Sequence, residues 1–241
     1  GDDVVTNAAT GTVSVTGSLL GGDGADSLTN AGAFTVASGG TLDLGLANDT
    51  ITNSGTLTLA GTVNGGDGID TLANQAGGTV AISGTTDLGL GADVITNAAT
   101  GTVNVTGSLL TGDGTDAVTN SGTFTVASGG TVNLGLANDT LTNNGTLTVT
   151  GSLLGGDGAD TLTNSAGATT SIAGVLDLGL GDDVITNAGT FAVTGAVNLG
   201  DGADSVTNSG TYTVTGTQDF GAGTDSFSNT GTLNVSGATS L

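Results

Sequence analysis

The chain has 241 residues, among them 47 Gly and 22 Asp, and it contains no Glu, Lys, Arg, His, Pro, Cys, Met or Trp. Imidazole bases, thiolate or amine nucleophiles, guanidinium clamps and His-ligated zinc are therefore all excluded, which leaves Asp, Tyr212 and the Ser and Thr hydroxyls as its chemistry and predicts no enzyme. A formal charge of -22 with no positive side chain excludes nucleic acid and anionic membrane surfaces as partners and favours cations.

The chain starts at Gly1 in the sequence GDDVVTN, without a basic segment, and no apolar run approaches the length of a membrane span. No leader and no direct membrane insertion are expected. Without an initiator Met, the chain reads as a processed product or a portion of something longer. A lack of thiols and thioethers leaves little to oxidise, which suits an extracellular setting.

One unit recurs from end to end: an Asp, an aliphatic or aromatic residue two positions on, and an Asn four positions on, as in Asp49, Ile51 and Asn53. The Asp stands at Asp3, Asp26, Asp49, Asp70, Asp93, Asp116, Asp139, Asp160, Asp183, Asp204 and Asp225, with spacings of 21 or 23 residues throughout. Such regularity is the mark of a stacked repeat. Residues 1–90 also run nearly identically to residues 91–180, which indicates duplication of a four-coil block.

Within each unit apolar residues alternate with small polar ones at the strand period of two. The first of three predicted strands follows the Asp and carries the Val, Leu, Ile or Phe. The second holds pairs such as Phe34 with Val36, Leu57 with Leu59 or Tyr212 with Val214, and the third holds pairs such as Leu42 with Leu44 or Leu176 with Leu178. Turns rich in Asn, Gly and Ser separate them, and two-residue insertions fall at those turns, as in NAATGTV from Asn7 against NSGTL from Asn53. One such coil cannot enclose a core, whereas eleven stacked at about 4.8 Å can. The prediction is an all-β fold, a right-handed parallel β-helix of eleven coils of 21–23 residues. It forms one solenoid domain over residues 1–241, uncapped at both ends, with Leu241 falling where the next unit's Gly would begin. The interior should be aliphatic and aromatic, including Tyr212 and the five Phe, and the Thr should face water.

In register, the repeated Asp forms a line of carboxylates. At about 4.8 Å a pair of like charges repels by roughly 0.9 kcal/mol in bulk water and about 3.5 kcal/mol at an effective dielectric of 20. Alternate coils add Asp23, Asp67, Asp113, Asp157 and Asp201, and a further acid or amide stands at Asp43, Asp87, Asn133, Asp177 and Asp219. Read as a ridge, the two Asp rows would attract a hard divalent cation, calcium above all. A competing reading has each Asp capping its own turn through backbone N–H groups, with no metal. The Asn column from Asn7 to Asn229 reads as a ladder of amides bonded to one another. Paired carboxylates such as Asp23 with Asp26 do not differ from their repeats, which argues against catalysis.

Two resemblances add to this. GGDGADSLT from Gly21, GGDGIDTLA from Gly65 and GGDGADTLT from Gly155 resemble the GGxGxDxUx nonapeptide of the repeats-in-toxin family. That likeness implies calcium on Asp26, Asp70 and Asp160, with turn carbonyls completing the shell. The nonapeptide occurs here once per coil and only in alternate coils instead of in tandem, and GLANDTITN at Gly45 lacks its second and third glycines. The phrase TNSGTxTxxG, running on to LGxGxDxxTN, resembles the passenger repeats of bacterial autotransporters and filamentous surface adhesins. This second likeness implies a β-helix outside the cell or on the bacterial surface, with an adhesive or fibrous role. The expected function is a structural one, a subunit joined head to tail with its own copies and rigidified by calcium. The alternative is a calcium-dependent, non-polymeric stalk that contacts carbohydrate or a host or matrix surface.

Overall fold

The computed structural model describes residues 1–240 as a parallel β-solenoid with no helix among them. Leu241 lies outside the described residues, and so does the phase of the repeat at that position. Each coil contributes three strands, exemplified by Thr50–Asn53, Thr56–Leu59 and Thr62–Asp67. Equivalent strands of successive coils pair in parallel, which gives three eleven-stranded sheets that follow chain order without a crossover.

Register is kept at every step. Ile51 lies between Leu28 and Leu72, and Leu57 between Phe34 and Val80. The two-residue insertions are absorbed in the turns, so Asn74 still stacks on Asn97 although their coils differ in length from the preceding one. Parallel pairing at about 4.8 Å per coil makes a rod of about 50 Å.

Alternation along each strand sends one set of residues inward. Val, Leu, Ile and Phe fill a continuous core, joined by Tyr212. The last coils concentrate the aromatics: Phe191 stacks on Tyr212 at 4.9 Å, and Phe227 meets Tyr212 and Phe220 edge-on. Phe227 is only partly buried. The expectation that Thr faces water fails at Thr86, Thr111 and Thr170, which are fully buried. They occupy inward register positions, Thr86 between Val63 and Leu109 and Thr170 between Leu147 and Phe191.

Glycine is demanded where coil backbones touch. Gly135 has φ of +110°, and a Cβ there would land on the carbonyl oxygen of Gly112 one coil away. Gly129 has φ of +84° but faces open space. Gly129→Ala should cost about 1–2 kcal/mol for left-handed backbone alone. Gly135→Ala should cost clearly more, because it pushes two coils apart. Chemical denaturation of the two variants checks this ordering.

Candidate functional site

The repeated Asp is positioned by the turn that leads into the first sheet. Because side chains alternate with a period of two, Asp49, Ile51 and Asn53 share one face, and Ile51 is core. The acid therefore faces inward. Asp26, Asp49, Asp70, Asp93, Asp116, Asp139, Asp160, Asp183 and Asp204 are all buried, while Asp3 is exposed and Asp225 half-buried in the first and last coils. The carboxylates do stand in line, but the line is an internal column and not an outer ridge. The alternation that placed Ile51 in the core was the signal for this.

Each buried carboxylate is bonded to the coil before it. The backbone N–H of one Asp donates to Oδ1 of the next, from Asp3 to Asp26 and onward to Asp204 with Asp225, at 2.6–3.0 Å. The bond spans two coils, so the expectation of an Asp capping its own turn is corrected at these ten contacts. Oδ2 of the nine buried members has no hydrogen-bond partner.

Beside this column runs the expected amide ladder. Nδ2 of each Asn donates to Oδ1 of the next, from Asn7 to Asn229, at 2.6–3.0 Å, and to a backbone carbonyl of the turn or of the next coil. Thr170 joins it, accepting from Asn143 and donating to Asn164. The two columns treat polarity differently. An amide supplies both a donor and acceptors and satisfies itself up the stack, whereas a carboxylate supplies acceptors alone.

The second acidic row lies on the opposite side of the chain's backbone. Asp23, Asp67, Asp113, Asp157 and Asp201 are exposed. In register they alternate with Leu46, Leu90, Leu136 and Leu180, each about half exposed, so the row reads Asp, Leu, Asp, Leu along the axis. Successive carboxylates are thus two coils apart, about 9.6 Å, and their Coulomb repulsion is halved relative to adjacent coils. An open groove of about 340 Å³ on this outer face is lined by Asp87, Leu110, Asp113, Asn133, Leu136 and Asp157. Among the described residues, no three acidic side chains converge on one point as they would around a metal ion.

Burial governs the electrostatics of the inner column. Desolvation pushes Asp70, Asp93 and Asp160 from the ordinary 3.8 up to about 6, and Asp139 and Asp183 up to about 7. The donated N–H pulls each back in part, and neighbouring carboxylates push Asp70, Asp93, Asp139 and Asp183 further up. Asp49, Asp116 and Asp204 move upward from the same burial. Tyr212, also fully buried, has its hydroxyl pushed up by desolvation.

No family model matches the chain, and no curated protein does. Among solved structures, the chain is similar to one described as a TibC-catalysed hyper-glycosylated TibA fragment. The match covers 100% of this chain and 92% of that one, at 17% identity and a TM-score of 0.34.

Two outcomes are expected. Since the folded state holds protons more tightly than the unfolded chain, stability should be fully present below pH about 4 and fall as pH rises through 6 to 7. Urea melts across that range test it. Asn120→Ala removes one rung of the amide ladder and should cost about 2–4 kcal/mol by leaving Asn97 Nδ2 and Asn143 Oδ1 without their mutual partner, measured by the same melts.

Proposed function

We propose that the chain is a non-catalytic structural rod of an extracellular or bacterial surface protein, a shaft or fibre subunit that holds other parts at a distance. The observation that carries this reading is the unbroken register of all three sheets across eleven coils. Each coil is bonded to its neighbours by the backbone, by an amide ladder and by a carboxylate ladder, which resists bending and sliding at every level. The polar groups with the most chemical potential, the buried Asp, are committed to joining coils.

Polymerisation deepens the same reading. Along both the Asp and the Asn column the inter-coil bonds run with one polarity, from an earlier N–H to a later side-chain oxygen. Copies that extended the stack would therefore join head to tail. Calcium draws its support from the outward row of Asp23, Asp67, Asp113, Asp157 and Asp201, which water and ions reach freely. With a net charge of -22, contacts with a host or matrix surface would favour cationic or neutral chemistry over anionic.

Negative-stain electron microscopy with small-angle scattering tests the proposal. Rods about 50 Å long, or filaments of that unit, are expected. A compact scattering profile overturns the rod. Filaments identify a fibre subunit, and isolated rods a displayed shaft. Melting in calcium and in chelator is expected to show a higher Tm with calcium, and identical curves would remove calcium from the reading.

A further inference from the structure

The inner row that precedes the Asp turn runs Gly21, Leu44, Gly65, Leu88, Thr111, Leu134, Gly155, Leu178, Leu199 and Phe220. Glycine at three of these core positions has a specific consequence. The space where a Cβ of Gly65 would sit is bordered by Oδ2 of Asp70 in the same coil and by the carbonyl oxygen of Leu88 in the next. Gly155 has Asp160 Oδ2 and the Leu178 carbonyl in the same places, and Gly21 has Asp26 Oδ2 and the Leu44 carbonyl. Two buried oxygens converge on one small volume, and the carboxyl oxygen has no donor. Such a pair is repulsive unless something positive or hydrogen-bearing lies between.

We propose that Asp70 and Asp160 are buried proton-binding sites. Each carboxyl is held as the acid, and its Oδ2–H donates to the carbonyl of the interior leucine one coil on. Folding takes the proton from water, and no other bond changes.

Size argues for a proton over a metal. The cavity beside Gly155 and Asp160 is about 10 Å³, room for at most one water. Calcium takes six to eight oxygens at about 2.3–2.6 Å, which two oxygens in that volume do not supply. The fifth coil provides an internal comparison. There Thr111 replaces the glycine, and its Oγ1 donates to the carbonyl of Leu134, the equivalent oxygen one coil on.

Apart from the one backbone N–H donated to Oδ1, the surroundings contain nothing that would hold the carboxylates charged. Asp70 is faced within its column by Asp49 and Asp93, and Asp160 by Asp139 and Asp183. From the third sheet, Gly65 with Leu88 and Gly155 with Leu178 pack against them and carry no charge. Asp67, Asp87, Asp157 and Asp177 of that sheet point outward, and the chain has no Lys, Arg or His. Burial raises both carboxyls to about 6, so the acid form prevails in the folded chain below that pH.

The test is the double variant Asp70→Asn, Asp160→Asn in the full chain. An Asn keeps Oδ1 as acceptor and presents Nδ2–H to the leucine carbonyl at every pH. The variant should be at least as stable as the parent at pH 8. Its pH dependence of folding between pH 4 and 8 should shrink by roughly a hundredfold in the folding equilibrium per site, the equivalent of a shift from 3.8 to about 6. A variant less stable at pH 8 with an unchanged pH profile overturns the proposal, and so does calcium stabilisation of the parent that the variant loses. Infrared spectra of the unmodified chain at pH 5 provide a readout that needs no variant. A carboxylic acid C=O band from folded protein is expected, and its absence overturns the proposal.

Discussion

Every feature of this molecule follows from the parallel bonding of each coil to the next at one strand spacing. Once Leu28, Ile51 and Leu72 are fixed above one another, every other position must also meet its equivalent one coil away, and a residue repeated at each coil meets its own kind. Side chains that gain from meeting their own kind, such as Val, Leu, Phe and Asn, can be repeated without limit. Side chains that lose by it need a separate solution, and a chain with 22 acids and no bases has little to draw on. It uses two. The inner Asp accept backbone N–H bonds, and burial pushes those from Asp49 to Asp204 toward the neutral acid, while the outer Asp are spaced apart by leucines.

The inner solution links stability to solution chemistry. A column of carboxyls whose second oxygen is unpartnered strains the fold when ionised and relaxes it when protonated. The ladder of Asn beside it has no such dependence, since an amide is complete at any pH. The two adjacent columns therefore divide the labour: one holds the coils together under all conditions, and the other makes that hold responsive to acidity.

Much of this was legible in the residues before any coordinates. The 21- and 23-residue spacing set the coil, the alternation set three strands, and Asn at a constant offset from Asp set the ladder, all as found. The side of the wall on which the Asp column stands was misread, because charge suggests exposure, whereas Asp49 two residues before Ile51 must share its inward face. The buried Thr86, Thr111 and Thr170 were hidden by the general habit of Thr on exposed strands, and register with Val63, Leu134 and Leu147 reveals them. The nonapeptide glycines Gly21, Gly65 and Gly155 invited a metal reading from their motif. What a glycine leaves room for inside a packed core depends on the neighbouring coil, and no single repeat contains that information.

The alternation of Asp and Leu on the outer edge sets a rule for how such an array can lengthen. Adding or deleting one coil would bring two like carboxylates, or two leucines, into contact along the row. Adding or deleting a pair leaves the pattern whole. The near-identity of residues 1–90 and 91–180 spans four coils, an even number, and Asp23 and Leu46 duly correspond to Asp113 and Leu136. Duplication by pairs of coils keeps that alternation intact.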